Sequence, residues 1–195
     1  MTTRCIFLDV DGPMIPVRAY FLSNQTKPAS VFDPCATAML LRLLEDSGAK
    51  LVISSTWGQF GKDRCEELLA KNGIDPSYLH EDWVTPRKMS SARYHEIKWW
   101  LDKHPEVTHY VAVDDENLPV DWIEHAVLCD GQEGFSFRNY LECKVMLGIP
   151  ESDAQGDQDR INYCKRREIW RLGRSGEKNQ HHLWEFADRL FPVDK

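Results

Sequence analysis

The tetrapeptide Asp9-Val10-Asp11-Gly12 follows directly on the apolar run Cys5-Ile6-Phe7-Leu8, and this junction constrains the fold more than any other feature. A short apolar run bounded by Gly and Pro predicts a buried strand. Two carboxylates one residue apart then fall at its C-terminal end, where open α/β sheets place their ligands. Side chains alternate with a period of two along an extended backbone, which puts Asp9 and Asp11 on one face. Two like charges held together require a cation or a shared proton, and that need is the first indication of chemistry.

The rest of the chain supplies partners for this strand. Residues 13–32 are irregular, with Pro13, Pro16 and Pro28 as breakers. Asp33-Pro34 is an N-cap followed by proline at the first helical position, and Ala38, Leu40, Leu41, Leu43 and Leu44 carry a helix that Gly48 ends. Leu51-Val52-Ile53 predicts a second buried strand closing on Ser54-Ser55-Thr56. A helix over 62–72 stops at Gly73, and another spans 94–103. Tyr110-Val111-Ala112-Val113 is the third predicted strand, ending in Asp114-Asp115, and Ala126-Val127-Leu128-Cys129 is the fourth, ending at Asp130. Ser136 caps a helix reaching Leu147.

Strands alternating with helices imply a doubly wound, Rossmann-like parallel sheet covered on both faces. Right-handed crossovers then bring the strand ends to one edge, so Asp9, Asp11, Ser54, Asp114 and Asp115 are expected in one crevice. The expected domain covers residues 1–150. Residues 151–195 read as a C-terminal helical extension, with helices over 159–172 and 180–191 and aromatic residues that should pack on the sheet domain.

Composition narrows the class. The 195 residues, 42% hydrophobic and 28% charged, suit a water-soluble globular domain, and no apolar run approaches the roughly 20 residues that span a bilayer. Met1-Thr2-Thr3-Arg4 leads straight into the first strand with no signal peptide, so a cytoplasmic location is expected. Six cysteines without a CxxC pair disfavour zinc-ribbon and redox sites and fit reduced thiols. The net charge of −7 argues against a surface that grips nucleic acid throughout. A local basic run, Arg160, Lys165, Arg166, Arg167 and Arg171, could still touch RNA or DNA. The seven histidines form no HxH or HExxH arrangement. Trp57, two residues after Ser55, is placed to stack a nucleobase.

Taken in order, Phe7-Leu8-Asp9-Val10-Asp11-Gly12, Val52-Ile53-Ser54-Ser55-Thr56-Trp57 and Ala112-Val113-Asp114-Asp115 resemble the haloacid dehalogenase (HAD) superfamily. The stretch from Arg93 through Glu96-Ile97 to Trp100-Leu101 adds a basic element. The combination LDVDG, SSTW, RxxEIxxWL and VDD is most similar to the HAD domain of Swiss-army-knife RNA-repair proteins and to polynucleotide 3′-phosphatase domains. The resemblance covers residues 4–135 and leaves out the tail. It implies a Mg²⁺-dependent phosphatase without a full cap domain, because residues 13–32 are too few for one.

By this resemblance Asp9 is the nucleophile and Asp11 the general acid and base. Mg²⁺ is expected on Asp9, on Asp11 through its backbone carbonyl, and on Asp114 or Asp115. Ser54 is expected to hydrogen-bond a phosphoryl oxygen, with Ser55 and Trp57 beside the substrate. Arg93, or Lys88 in its place, balances the charge of the transferring group. The implied substrates are a nucleic-acid end bearing a 3′-phosphate, or a nucleotide. The competing reading is a non-catalytic protein that keeps the fold and binds phosphate or nucleic acid.

Overall fold

Residues 5–8 lose all contact with solvent, and this burial on both faces makes the first strand the centre of the molecule. In the computed structural model, which describes residues 3–21, 30–87, 92–116 and 125–149, β1 (Thr3–Leu8) is flanked by β2 (Lys50–Ile53) and β4 (Val107–Asp114). The outer strands are β3 (Leu79–Val84) and β5 (Ala126–Leu128). All neighbours pair in parallel, in the order β3-β2-β1-β4-β5. This is the doubly wound α/β arrangement expected from the sequence.

Alternation along β1 divides the core. Ile6 and Leu8 face a large cluster that includes Leu40, Leu43 and Leu44 of α1 (Pro34–Ser47), Leu68 and Leu69 of α2 (Lys62–Lys71) and Cys143 of α4 (Phe137–Met146). Cys5 and Phe7 face a smaller cluster with Ile97 and Trp100 of α3 (Arg93–Leu101). Trp100 meets Phe7 edge-on at 5.2 Å, and its indole N–H donates to the Asp82 carbonyl at 2.9 Å. Helices therefore cover both faces.

Local chemistry fixes the helix ends. The Asp33 carboxylate accepts from the Cys35 and Ala36 amides, and Gly48 closes α1 in the left-handed region at φ 63°. Ser136 and Asn139 form a reciprocal capping box at the start of α4. At the opposite end of β1 from the two aspartates, Arg4 donates to the carbonyls of Leu147, Ser47 and Gly148. One guanidinium thus satisfies orphan carbonyls where α1 and α4 end.

Three expectations are corrected. Leu79–Val84 is a strand that the sequence reading left out, so the strand ending in Asp114 is the fourth and Ala126–Leu128 the fifth. Its central residues Glu81 and Asp82 are exposed, because β3 is an edge strand with one neighbour. The expected helix over 94–103 begins at Arg93 and ends at Leu101. Within the irregular 13–32 segment, Val17–Phe21 forms a short 3₁₀ helix. The expected C-terminal extension and its basic run lie outside the described residues. No helix among the described residues is long and apolar enough to cross a membrane.

Candidate active site

The register of the sheet delivers three polar residues side by side. Leu8 pairs with Ile53 on one flank and with Val113 on the other. The next residue of each strand is Asp9, Ser54 and Asp114, and the Ser54 amide still donates to the Leu8 carbonyl while the Asp9 amide donates to Val113, each at 2.9 Å. The chain leaves β1 and β4 at the point where strand order reverses, which is where α/β sheets open a crevice.

β1 stops at Leu8, so the two aspartates occupy the loop that follows it. The Met14 and Ile15 amides both donate to the Val10 carbonyl at 3.0 Å and tighten the loop, and Gly12 turns it at φ 81°. The paired carboxylates consequently differ: Asp9 is buried at 7% exposure, whereas Asp11 is exposed.

Oxygens of Asp9, Asp114 and Asp115 lie within 4.8 Å of one another. Asp115 sits in a cradle between glycines: a Cβ at Gly12 would fall 2.3 Å from its carboxylate, and one at Gly131 would fall 2.6 Å from its Oδ2. Burial pushes Asp9 up to about 6, against the pull of Ser55 and Arg93. Burial, with Asp9 nearby, pushes Asp114 up to about 7. Asp115 is raised by the same desolvation. Three crowded carboxylates that resist ionisation make a hard-oxygen donor set suited to a divalent cation of the Mg²⁺ type.

Arg93 stands among buried acids. Its guanidinium lies 3.3 Å from Asp114, 3.8 Å from Asp9 and 3.9 Å from Glu96. Its Nε is buried without a hydrogen-bond acceptor, and the Ser54 hydroxyl is buried without any hydrogen-bond partner. Native proteins rarely leave such a hydroxyl unpaired, so Ser54 calls for an acceptor from outside the chain, and Arg93 Nε, held to Asp114 only as an ion pair, can share one. Ser55 behaves differently: it draws Asp9 downward against the effect of burial, and its Oγ accepts from the Trp57 amide at 3.4 Å. The Trp57 indole N–H donates to Asp11 Oδ2 at 3.1 Å.

The structure thus gathers Asp9, Ser54, Ser55, Arg93, Asp114 and Asp115 and connects Asp11 to them through Trp57 and Ser55. Lys88 lies outside the described residues. Several participants were not singled out from sequence. Glu96 shares a helical face with Arg93 at a spacing of three, a signal present in the RxxE pattern. Gly12 was read as part of the motif without a partner, and its partner Asp115 is distant in the chain. A second cluster, His80, His104 and Glu106, also brings possible ligand atoms within 4.8 Å. It is already bonded internally: His80 Nδ1 accepts the Asp82 amide, and the His104 nitrogens face Glu106 and Asp82.

No curated protein and no solved structure matches the chain. A family model described as the HAD domain in Swiss Army Knife RNA repair proteins matches residues 5–140, which contain every described member of this crevice. The chain belongs to that HAD family.

Proposed function

We propose that this protein is a Mg²⁺-dependent phosphatase that works through an aspartyl phosphate on Asp9, with phosphorylated nucleic-acid ends, above all 3′-phosphates, as substrates and nucleotides as the next candidates. The observation that carries this reading is the buried Ser54 hydroxyl, which has no hydrogen-bond partner, together with the Arg93 guanidinium that lies 3.8 Å from the buried Asp9 carboxylate. Phosphoryl oxygens are acceptors that such donors fit, and they would stand beside a nucleophile of the right kind.

In the first half-reaction an Asp9 oxygen bonds to phosphorus while the bond to the ester oxygen breaks, and Asp11 gives its proton to that oxygen. In the second, water attacks the phosphorus, Asp11 takes its proton, and the bond between Asp9 and phosphorus breaks to release inorganic phosphate. Ser54 and Arg93 hold the phosphoryl oxygens through both halves. The side chains of Asp9 and of Asp114 or Asp115, with the Asp11 backbone carbonyl, would hold the Mg²⁺, which when bound offsets the repulsion between an anionic nucleophile and an anionic phosphate.

The family's association with RNA repair supports a nucleic-acid end as the substrate. In this reading residues 151–195 form a helical extension whose basic run Arg160, Lys165, Arg166, Arg167 and Arg171 contacts the strand. The five described cysteines are all free, which fits a reducing cytoplasm.

The test is phosphate release with Mg²⁺ present or chelated, for wild type and Asp9→Asn. Substrates would be a 3′-phosphorylated oligonucleotide, a 5′-phosphorylated one, mononucleotides and an aryl phosphate. Mg²⁺-dependent release that Asp9→Asn abolishes, fastest on the 3′-phosphate, is the expected result. No release from any substrate by folded wild type that binds Mg²⁺ would favour a non-catalytic phosphate-binding protein instead.

A further inference from the structure

Asp11 has to place a proton on one particular oxygen, yet it sits on an exposed loop beyond the end of β1. What restrains it comes from a distant part of the chain. The Trp57 indole Nε1 donates to Asp11 Oδ2 at 3.1 Å across 46 residues. Trp57 is itself well fixed. It lies in the short 3₁₀ helix Thr56–Phe60 and packs against the larger core cluster. Its amide donates to Ser55 Oγ, its carbonyl accepts from the Cys65 thiol at 3.5 Å, and its ring meets Phe60 edge-on at 5.7 Å.

We infer that the Trp57 indole N–H is a positioning group for Asp11, occupying Oδ2 so that Oδ1 is the oxygen that carries and transfers the proton. This rests on the phosphatase reading above. The indole N–H is a donor and never an acceptor. It can bond the carboxylate, and it can bond the carbonyl-type oxygen of the protonated acid, but it repels a proton placed on Oδ2. The same hydrogen bond therefore survives both halves of the reaction and directs the proton to Oδ1 in each. The segment after β2 would then orient both acidic residues, Ser55 acting on Asp9 and Trp57 on Asp11. Trp57 was expected from sequence to stack a base, and this bond gives its polar edge a different task.

The test compares kcat/KM of the full chain and its Trp57→Phe variant on two substrates with Mg²⁺. One is an aryl phosphate, whose phenolate leaves with little help from an acid. The other is a 3′-phosphorylated oligonucleotide, whose alkoxide needs the proton. Because general acids contribute about 10²–10⁴-fold, loss of orientation is expected to lower the oligonucleotide-to-aryl ratio of kcat/KM about tenfold. Equal losses on both substrates, or none on either, would overturn the inference. Wild type inactive on both would overturn the phosphatase reading on which it rests. Should Trp57→Phe fold poorly, the ¹⁵N-labelled Trp57 indole resonance provides a second measurement. It is expected to move in Asp11→Ala, and an unmoved resonance would overturn the contact.

Discussion

Arg93 Nε lies 3.3 Å from Asp114 Oδ2, and the same guanidinium comes within 3.8 Å of Asp9. One cation therefore serves two carboxylates that sit at the ends of adjacent strands. Among the described residues, its removal would leave both buried carboxylates without the cation they pair with. Arg93→Met is expected to cost about 3 kcal/mol in metal-free protein at pH 7, because breaking a buried pair strands the remaining charge. The loss should shrink at pH 5, where Asp9 and Asp114 take up protons. Turnover should fall by roughly 10²-fold or more, the scale of a lost transition-state donor. Denaturant unfolding at the two pH values and steady-state kinetics check both parts. An equal loss of stability at pH 5 and pH 7 would show that the ion pairs are not its source.

The raised carboxylates also set a pH dependence. Asp9 and Asp114 move from 3.8 to about 6 and about 7 in the folded chain. The folded state thus holds protons that the unfolded state has released, and stability falls as pH rises. Their contribution is complete below the unfolded value near 4 and is lost as pH passes through 6 and 7. A divalent cation held by these carboxylates would bind their ionised forms and reverse the slope. Metal-free protein should therefore melt at a lower temperature at pH 8 than at pH 5. Mg²⁺ at about 100 times its Kd should raise the melting temperature by roughly 5–10 °C at pH 8, and by much less at pH 5. Thermal scans with Mg²⁺ or a chelator at both pH values decide this, and a metal effect of equal size at both would remove these carboxylates as its ligands.

The central strands were readable because burial on both faces writes a continuous apolar run, as in Cys5-Ile6-Phe7-Leu8 and Leu51-Val52-Ile53. β3 escaped for the opposite reason. Its sequence, LHEDWV, belongs to an edge strand whose polar residues face solvent, and it shows neither a run nor a clean alternation. Helix ends were legible where a cap is a local event, as at Asp33-Pro34 and Ser136. Asp9, Asp11, Asp114 and Asp115 could be placed from sequence because they lie at or just beyond the ends of strands. The contacts between Trp57 and Asp11, and between Gly12 and Asp115, depend on how loops fold back over the sheet. No local pattern encodes such contacts.

Gly12 offers a direct probe of the proposed metal ligands. A methyl group there would meet the Asp115 carboxylate at 2.3 Å, and the residue's φ of 81° already disfavours a side chain. Gly12→Ala must therefore displace Asp115 or strain the loop, at a cost of about 1–3 kcal/mol. Displacement of a ligand should raise the Mg²⁺ concentration needed for half-maximal activity by about 10–100-fold, the effect usual for groups that orient metal ligands. A Mg²⁺ titration of activity beside a melting curve separates the two. A destabilised variant with an unchanged Mg²⁺ midpoint would exclude Asp115 from the metal site.

The neighbouring serines should respond in opposite ways to the same substitution. Ser54 Oγ is buried with no partner, so the folded protein bears an uncompensated polar group there. Ser54→Ala removes that group and is expected to leave stability unchanged or raise it by about 1 kcal/mol. It also removes a proposed phosphoryl donor, so turnover should drop roughly 10²-fold. Ser55 Oγ already accepts from the Trp57 amide, and the serine lowers Asp9. Ser55→Ala should cost about 1 kcal/mol of stability, the usual value of a made hydrogen bond, and should raise Asp9 further by withdrawing the group that lowers it. Paired measurements of unfolding free energy and kcat on both variants test this. A Ser54→Ala protein that is destabilised yet fully active would show that its hydroxyl serves the fold and not the phosphate.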